Sequence, residues 1–229
     1  MRDHEKTSAL AVAALDEYAR TGSLPEPDRI VELTGLGRDE VDRIAPDEPR
    51  LRAVCQRYMV EVAARQAAGV PEYDRFTLQE RLGTFVFILL DVIERHESFV
   101  RQTLPSPLTG PLNPFEGSVR RVLRPILDAV DVPSVNRFGV TSAPSAAVAA
   151  NGIVWLIRAW IRDDSEEKQR STALIDRSLS LMAASMTNPV PQRGIELLRY
   201  GVEAGYLPLD RIPVVGDWFR PDQDDVTGK

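Results

Sequence analysis

Apolar residues recur at spacings of three and four along nearly the whole 229-residue chain, and no stretch alternates apolar and polar residues as a half-buried strand would. Such spacing places apolar side chains on one face of an α-helix. The run from Phe85 to Ile93 is apolar on nearly all sides, which is typical of a helix at the centre of a bundle. The sequence therefore predicts an all-α fold in which other helices surround this one.

Glycine, proline and helix-capping residues mark where the helices are expected to begin and end. A third short helix is expected between Gly35 and Pro46, and Pro125 predicts a kink inside a later helix. Residues 105–114 hold four prolines and a glycine, which favours a loop, and residues 222–229 are expected to be disordered. The other helices are expected at about 10–20, 27–34, 48–68, 77–104, 115–130, 142–162, 165–186 and 192–204.

The composition, with 43% apolar and 27% charged residues, is that of a folded soluble protein. The most apolar run, 85–93, is broken by Asp91 and is shorter than the ~20 residues that span a bilayer. No signal peptide is expected, because the apolar stretch 9–15 is short and is followed at once by acidic residues. A single cysteine, Cys55, excludes an intramolecular disulfide and fits a reducing compartment. We expect a cytoplasmic protein without a membrane partner.

Little in the sequence points to enzyme chemistry. The chain has two histidines, His4 and His96, and none of the common hydrolase, phosphate-loop, zinc-protease or dinucleotide motifs. We therefore expect no catalytic residue, no metal site and no cofactor. His96 is interpreted either as a pocket residue or as an ordinary half-exposed helix residue. Cys55 is interpreted either as a small buried hydrophobe or as a redox sensor.

Four short motifs follow one another in an order that is typical of one protein family. They are Ala13-Ala14 with Tyr18 and Gly22, then Thr34-Gly35-Leu36-Gly37-Arg38, then Pro46 with Leu51, and finally Trp155-Leu156-Ile157-Arg158-Ala159-Trp160-Ile161 followed by Ser165-Glu166-Glu167. With these residues, nearly the whole chain resembles the TetR family of bacterial one-component transcriptional regulators.

The resemblance implies a homodimer that grips a double-stranded DNA operator with small N-terminal heads. It also implies a larger C-terminal domain that encloses a small apolar ligand and forms the dimer interface. The helix-turn-helix head is placed at residues 1–48, the ligand-binding and dimerisation domain at 49–215, and a C-terminal tail at 216–229. The role of Trp218 and Phe219 in this tail is not explained by the resemblance.

Particular residues follow from the same resemblance. Thr34, Arg38 and Arg43 are the expected DNA contacts, with ordinary solvated surface residues as the alternative. The ligand pocket is expected to be lined by Phe85, Phe87, Leu89, His96 and Trp155, although apolar residues of this kind also form cores. The dimer interface is expected to contain Ile153, Ile157, Trp160, Ile161, Leu174 and Leu181.

The charge of the head opposes DNA binding. Residues 1–48 contain twelve acidic and six basic residues, a net charge of −6, whereas affinity for duplex DNA depends on neutralising phosphates. Glu26 stands where the family usually has a threonine beside a phosphate. Asp39, Glu40 and Asp42 stand where glycine, threonine and a phosphate-contacting tyrosine are common. Asp39 and Glu40 either cap an exposed helix or accept a hydrogen bond from cytosine.

Two functions remain open from the sequence. The first is a ligand-controlled, DNA-binding transcriptional regulator, which the family resemblance favours. The second is a dimer of the same fold that has lost DNA binding and acts as a ligand-binding or protein-interaction module, which the acidic head favours. The sequence does not name the ligand, the operator or the direction of regulation.

Overall fold

The computed structural model describes residues 3–104, 114–129, 131–132, 137 and 139–187. Within these ranges the chain is helical and contains no strand, which confirms the expected all-α fold. Its helices are α1 (Asp3–Thr21), α2 (Pro27–Thr34), α3 (Arg38–Ile44), α4 (Glu48–Ala68), α5 (Leu78–Glu94), α6 (Glu97–Thr103), α7 (Pro114–Leu127), α8 (Ala143–Arg162) and α9 (Gln169–Thr187).

Short 3-10 turns at Tyr73–Arg75 and Glu166–Lys168 lie between these helices. The helix expected at 192–204 lies outside the described residues, as do Trp218 and Phe219 of the C-terminal tail.

Helix α5 lies at the centre of the helical bundle. A capping box fixes its N-terminus: the Thr77 hydroxyl accepts the Glu80 N–H, and the Glu80 carboxylate accepts the Thr77 N–H. Helices α4, α7 and α9 all pack against α5. Because they enclose it from several directions, its buried residues occupy more than one face: Leu78, Arg81, Leu82, Phe85, Val86, Leu89, Leu90, Val92 and Ile93.

The helix expected over 77–104 is interrupted. Helix α5 ends at Glu94 and α6 begins at Glu97, so the prediction of one continuous helix was wrong at this point. His96 has φ −125° and ψ 30°, outside the helical region, and its N–H donates to the Ile93 carbonyl at 2.9 Å. No glycine or proline marks the break in the sequence. The break lets α6 leave the direction of α5 and pack against α1.

The three N-terminal helices pack in chain order, with α1 against α2 and α2 against α3. Gly35 ends α2 with a φ of 68°, a left-handed conformation that residues with a side chain rarely adopt. Gly37 then precedes α3 in an extended conformation. Ile30, Leu36 and Val41 are buried beneath this turn. The N-terminal helices also contact the rest of the bundle, because α1 packs against α4.

Helices α8 and α9 form an antiparallel hairpin. The Asp163 carboxylate accepts the backbone N–H of Ser171 at 2.7 Å and that of Ser165 at 3.0 Å, which fixes the connection between the helices. The helices approach closely where a Cβ atom added to Gly152 would lie 3.2 Å from Met182 Cε. A larger residue than glycine at this position would therefore force Met182 to move.

Helix α8 is the one helix in the described ranges that is long and apolar enough to cross a membrane, with a mean hydropathy of 1.2. Half of the apolar stretch is buried against the rest of the protein. A core helix of a soluble protein has the same length and composition, so α8 is weak evidence for a membrane span.

Replacing Phe85 by alanine is expected to lower the free energy of unfolding by about 3–5 kcal/mol, because a fully buried ring is lost and a cavity remains. Phe87 lies on the same helix and is 37% exposed, so the matched change Phe87→Ala is expected to cost about 1 kcal/mol or less. Urea unfolding followed by circular dichroism measures both values. Equal losses would contradict the placement of Phe85 in the core.

Candidate functional site

The exposed surface of α3 is the candidate contact with nucleic acid. Val41 is fully buried and anchors the helix, whereas Arg38 and Arg43 are exposed. The Thr34 hydroxyl, at the end of α2, donates to the Ile30 carbonyl at 2.7 Å. The structure therefore brings the two arginines to one short surface helix and places Thr34 in a local hydrogen bond just before it.

Two carboxylates bind the Arg38 guanidinium. Its Nε donates to the two carboxylate oxygens of Asp42 at 2.9 and 3.0 Å, and its Nη1 donates to Asp28 of α2. Asp42, followed by Asp28, holds the pKa of Arg38 above its ordinary value against a smaller opposing effect of burial. Two of the three guanidinium nitrogens that could donate to a DNA phosphate thus already have partners within the chain.

The neighbouring cations are paired in the same way. Arg43 Nη2 donates to Asp3 Oδ1 at 3.2 Å, and the Lys6 ammonium donates to Glu40. The hydrogen bond from Lys6 holds the pKa of the Glu40 carboxyl below its ordinary value. Because Asp3 and Lys6 belong to α1, both pairs connect α1 to α3.

A third set of ion pairs is centred on Glu17, which is buried. Its carboxylate accepts from Arg20 Nη2 at 2.5 Å and from Arg29 Nε at 3.2 Å. With these contacts, every lysine and arginine described between residues 3 and 48 has a carboxylate partner.

The ion pairs of α3 are more exposed than those of Glu17. An exposed ion pair contributes only about 0.2–1 kcal/mol, so a phosphate group can replace the carboxylate of such a pair.

Helix α6 joins the N-terminal helices to the bundle through Tyr18. The Tyr18 hydroxyl donates to the Gln102 side-chain oxygen, and its ring lies edge-on to Phe99 with centroids 5.3 Å apart. A cavity of about 560 Å³ borders this contact and is lined by residues of α1, α2, α4 and α6. The sequence motif singled out Tyr18 but gave no sign of its partners on α6, because they lie far away along the chain.

The structure places the five expected pocket residues in different surroundings. Phe85 and Leu89 are fully buried in the core around α5, whereas Trp155 is 56% exposed on α8. His96 lies partly buried at the break between α5 and α6, where burial lowers the pKa of its imidazole. Phe87 borders an open groove. In the described part of the chain these residues therefore lie in different surroundings, and their role as pocket residues stays a prediction.

The groove beside Phe87 has a volume of about 540 Å³ and is acidic. Trp160 forms part of its wall, and the Lys168 ammonium lies 3.4 Å from the centre of the Trp160 ring as a cation–π contact. The carboxylates that line the groove belong to Asp91, Glu94, Asp163, Asp164 and Glu167.

Of the six residues expected at a dimer interface, two are exposed. These are Leu174 and Leu181 of α9, and Leu181 is 69% exposed. Val148 and Trp155 of α8 are exposed as well, although neither is among the residues predicted at the interface. Val148 and Trp155 are seven residues apart, as are Leu174 and Leu181. Residues seven apart lie on one face of a helix, so this spacing could have predicted an exposed apolar face on both helices. The other four expected residues are buried within the chain: Ile153, Ile157, Trp160 and Ile161.

Cys55 is fully buried in α4, and burial raises the pKa of its thiol to about 12. Its Sγ lies 4.0 Å from the Ala11 carbonyl. A thiol in this environment stays protonated at neutral pH and reacts slowly, which favours a packing role over redox sensing. In the described ranges, no group of three or more His, Cys, Asp or Glu residues is arranged to hold a metal ion.

Comparison with known proteins adds no family assignment. A scan against protein-family models finds no model that matches the chain. A search of curated proteins finds no match either. The function must therefore be inferred from the residues and contacts of this chain.

Replacing Glu17 by glutamine is expected to flatten the acid side of the stability profile against pH. Arg20, and then Arg29, hold the pKa of Glu17 below its ordinary value, although burial opposes them. A lowered carboxyl pKa stabilises the fold above the unfolded-state pKa of about 4.3, and this contribution is lost as the pH falls through the folded-state pKa. Thermal unfolding between about pH 6 and pH 2.5 measures the difference.

The control for this variant is Glu26→Gln, which removes an exposed carboxylate that has no ion pair within the described residues. Glu26→Gln should leave the pH profile close to that of the unchanged protein. If the two variants change the profile equally, the ion pairs of Glu17 do not stabilise the N-terminal helices.

Proposed function

We propose that the protein is a homodimeric, cytoplasmic, DNA-binding transcriptional regulator of the TetR kind that responds to a small ligand. The observation that carries this proposal is the pair of short helices α2 and α3, joined by the turn from Gly35 to Gly37, with α3 exposed at the surface. A helix presented in this way fits the DNA major groove, which is about 12 Å wide.

Arg38 and Arg43 are the proposed phosphate or base contacts. Both guanidinium groups are about half exposed, so duplex DNA can reach them without unfolding α3. Binding requires phosphates to replace Asp42 and Asp3 as partners, which costs little because ion pairs exposed to water are weak. The displaced carboxylates stay nearby and repel the DNA, so we expect weak binding.

Ligand control requires that the bundle influence the N-terminal helices. Helix α6 provides a direct contact, because Gln102 and Phe99 both touch Tyr18 of α1. A ligand that binds more tightly to one position of α6 shifts the protein toward that position. The change in DNA affinity is limited by the difference between the ligand affinities of the two states.

The second candidate function is a dimeric ligand-binding or protein-interaction module that does not bind DNA. The observation that favours it is that every described cation in the N-terminal helices already has a carboxylate partner within the chain. Such a surface attracts a basic protein more readily than a nucleic acid. Co-purification of a basic protein or an apolar small molecule, without DNA affinity at low salt, distinguishes this function from the first.

If the protein binds DNA, replacing Asp42 by asparagine is expected to raise its affinity roughly three- to tenfold, because one repulsive charge is lost and Arg38 is freed for phosphate. Replacing Arg38 and Arg43 together by glutamate should lower the affinity by at least about tenfold. Fluorescence anisotropy against the protein's own upstream genomic fragment, from about 50 to 200 mM salt, measures both effects.

A scrambled fragment controls for sequence preference, and Asp176→Asn makes the same change of charge on α9, a helix that packs against α5 and α8. Asp176→Asn should leave DNA affinity unchanged within about twofold. Absence of binding by the folded dimer at the lowest salt contradicts the regulator and supports the module. Binding that is unaffected by the arginine substitutions places the DNA contact elsewhere.

The exposed apolar residues of α8 and α9 support a homodimer. Val148 and Trp155 are exposed on α8, and Leu174 and Leu181 are exposed on α9. Exposed large apolar side chains that repeat on one face of a helix are typical of an interface between chains. A second copy of the same two helices would bury them in a four-helix arrangement.

Changing Trp155 and Leu181 together to glutamate is expected to weaken dimerisation at least about 100-fold, because charges would replace apolar contacts in the interface. Light scattering coupled to gel filtration should then show a monomer. Leu33→Glu is the matched control, since Leu33 is an exposed leucine on α2, away from α8 and α9. A double variant that remains dimeric contradicts this interface.

A further inference from the structure

A small cavity lies between α6 and α8 and has a volume of about 150 Å³. Half of the described residues that line it are arginines, and the other half are aliphatic. The arginines are Arg101 of α6 with Arg158 and Arg162 of α8, and the aliphatic residues are Val100, Leu104 and Ile161. No acidic residue is among the described residues that line this arginine cavity.

Arg158 is the unusual member of the arginine cavity. Its Nε and Nη2 atoms are buried, and neither donates a hydrogen bond to any described residue. Burial lowers the pKa of Arg158, Arg162 lowers it further, and the charge of the buried Glu116 on α7 opposes them. Buried charged donors are normally satisfied in folded proteins, because leaving them without an acceptor is costly.

The other basic side chains around the cavity also outnumber the carboxylates that they contact. Glu97 Oε1 accepts from Arg101 Nη2 at 2.7 Å and from the Lys168 ammonium at 2.9 Å, so two cations share one carboxylate. Arg162 is exposed and has no ion pair with any residue in the described ranges. The cavity is therefore locally basic in a chain whose net charge is −6.

We propose that the arginine cavity binds a small organic carboxylate, with the carboxylate on Arg158 and Arg162 and a short apolar body against Val100, Leu104 and Ile161. The planar guanidinium group matches the geometry of a carboxylate, and charge-assisted hydrogen bonds of this kind are strong. The aliphatic half of the lining favours an acid with a hydrocarbon body over inorganic phosphate. A cavity of about 150 Å³ suits a body of the size of benzene.

This binding site goes beyond the proposed function, because it requires neither DNA binding nor dimerisation. It also differs in ligand chemistry from the apolar pocket expected from the sequence. None of the residues expected in that pocket lines the arginine cavity.

The test is isothermal titration of benzoate into the full chain at low salt, with neutral benzamide as the matched ligand. Benzoate should bind at least about tenfold more tightly than benzamide, because only benzoate carries the charge that the guanidinium groups hold. Arg158→Met, which keeps most of the side-chain volume, should raise the benzoate Kd at least about tenfold. Arg177→Met, an exposed arginine of α9, should leave the Kd unchanged.

Thermal unfolding of each variant first establishes that it folds. Arg162→Met provides a second test at an exposed position, where a loss of fold is not expected, and should raise the benzoate Kd severalfold. Absence of benzoate binding at about 10 mM overturns the proposal. Benzoate binding that neither Arg158→Met nor Arg162→Met weakens also overturns it. Binding of inorganic phosphate in preference to benzoate overturns the assignment to a carboxylate.

Discussion

The burial of α5 on several sides is the constraint on which the rest of the structure depends. A helix that is apolar around most of its circumference is poorly solvated by water, so neighbouring helices must enclose it. Helices α4, α7 and α9 do so, and α8 packs in turn against α7 and α9. The surfaces that this packing leaves exposed are available to bind other molecules. They include the exposed apolar residues of α8 and α9, and the cavity between α6 and α8.

The break after α5 gives the bundle its second contact with the N-terminal helices. Because the chain changes direction at His96, the short helix α6 can contact α1 on one side and α8 on another. Gln102 faces Tyr18, while its neighbour Arg101 lines the arginine cavity. The position of the seven-residue helix α6 therefore affects both ligand binding in the cavity and the contact with Tyr18.

The N-terminal helices and the arginine cavity differ in whether their basic side chains already have acidic partners. In the N-terminal helices, carboxylates such as Asp42 already hold the cations, so a nucleic acid must compete with groups of the protein itself. In the arginine cavity, the buried nitrogens of Arg158 have no described acceptor to displace. An anion that enters the cavity meets Arg158 and Arg162, and neither has an ion pair within the described residues that the anion must displace. Anion binding and DNA binding thus face different energetic obstacles within one acidic chain.

The sequence by itself determined the all-α fold and most helix ends, because helical spacing and capping depend on residues close together in the chain. Helices α2 (27–34) and α4 (48–68) begin and end where the sequence predicts, with Gly35 ending α2 and Asp47 capping α4. Only the tertiary structure decided the break at His96, the burial of Phe85 and the absence of described hydrogen-bond partners for Arg158. These features depend on which helices meet. Contacts between residues far apart in the chain leave no regular spacing by which one sequence could reveal them.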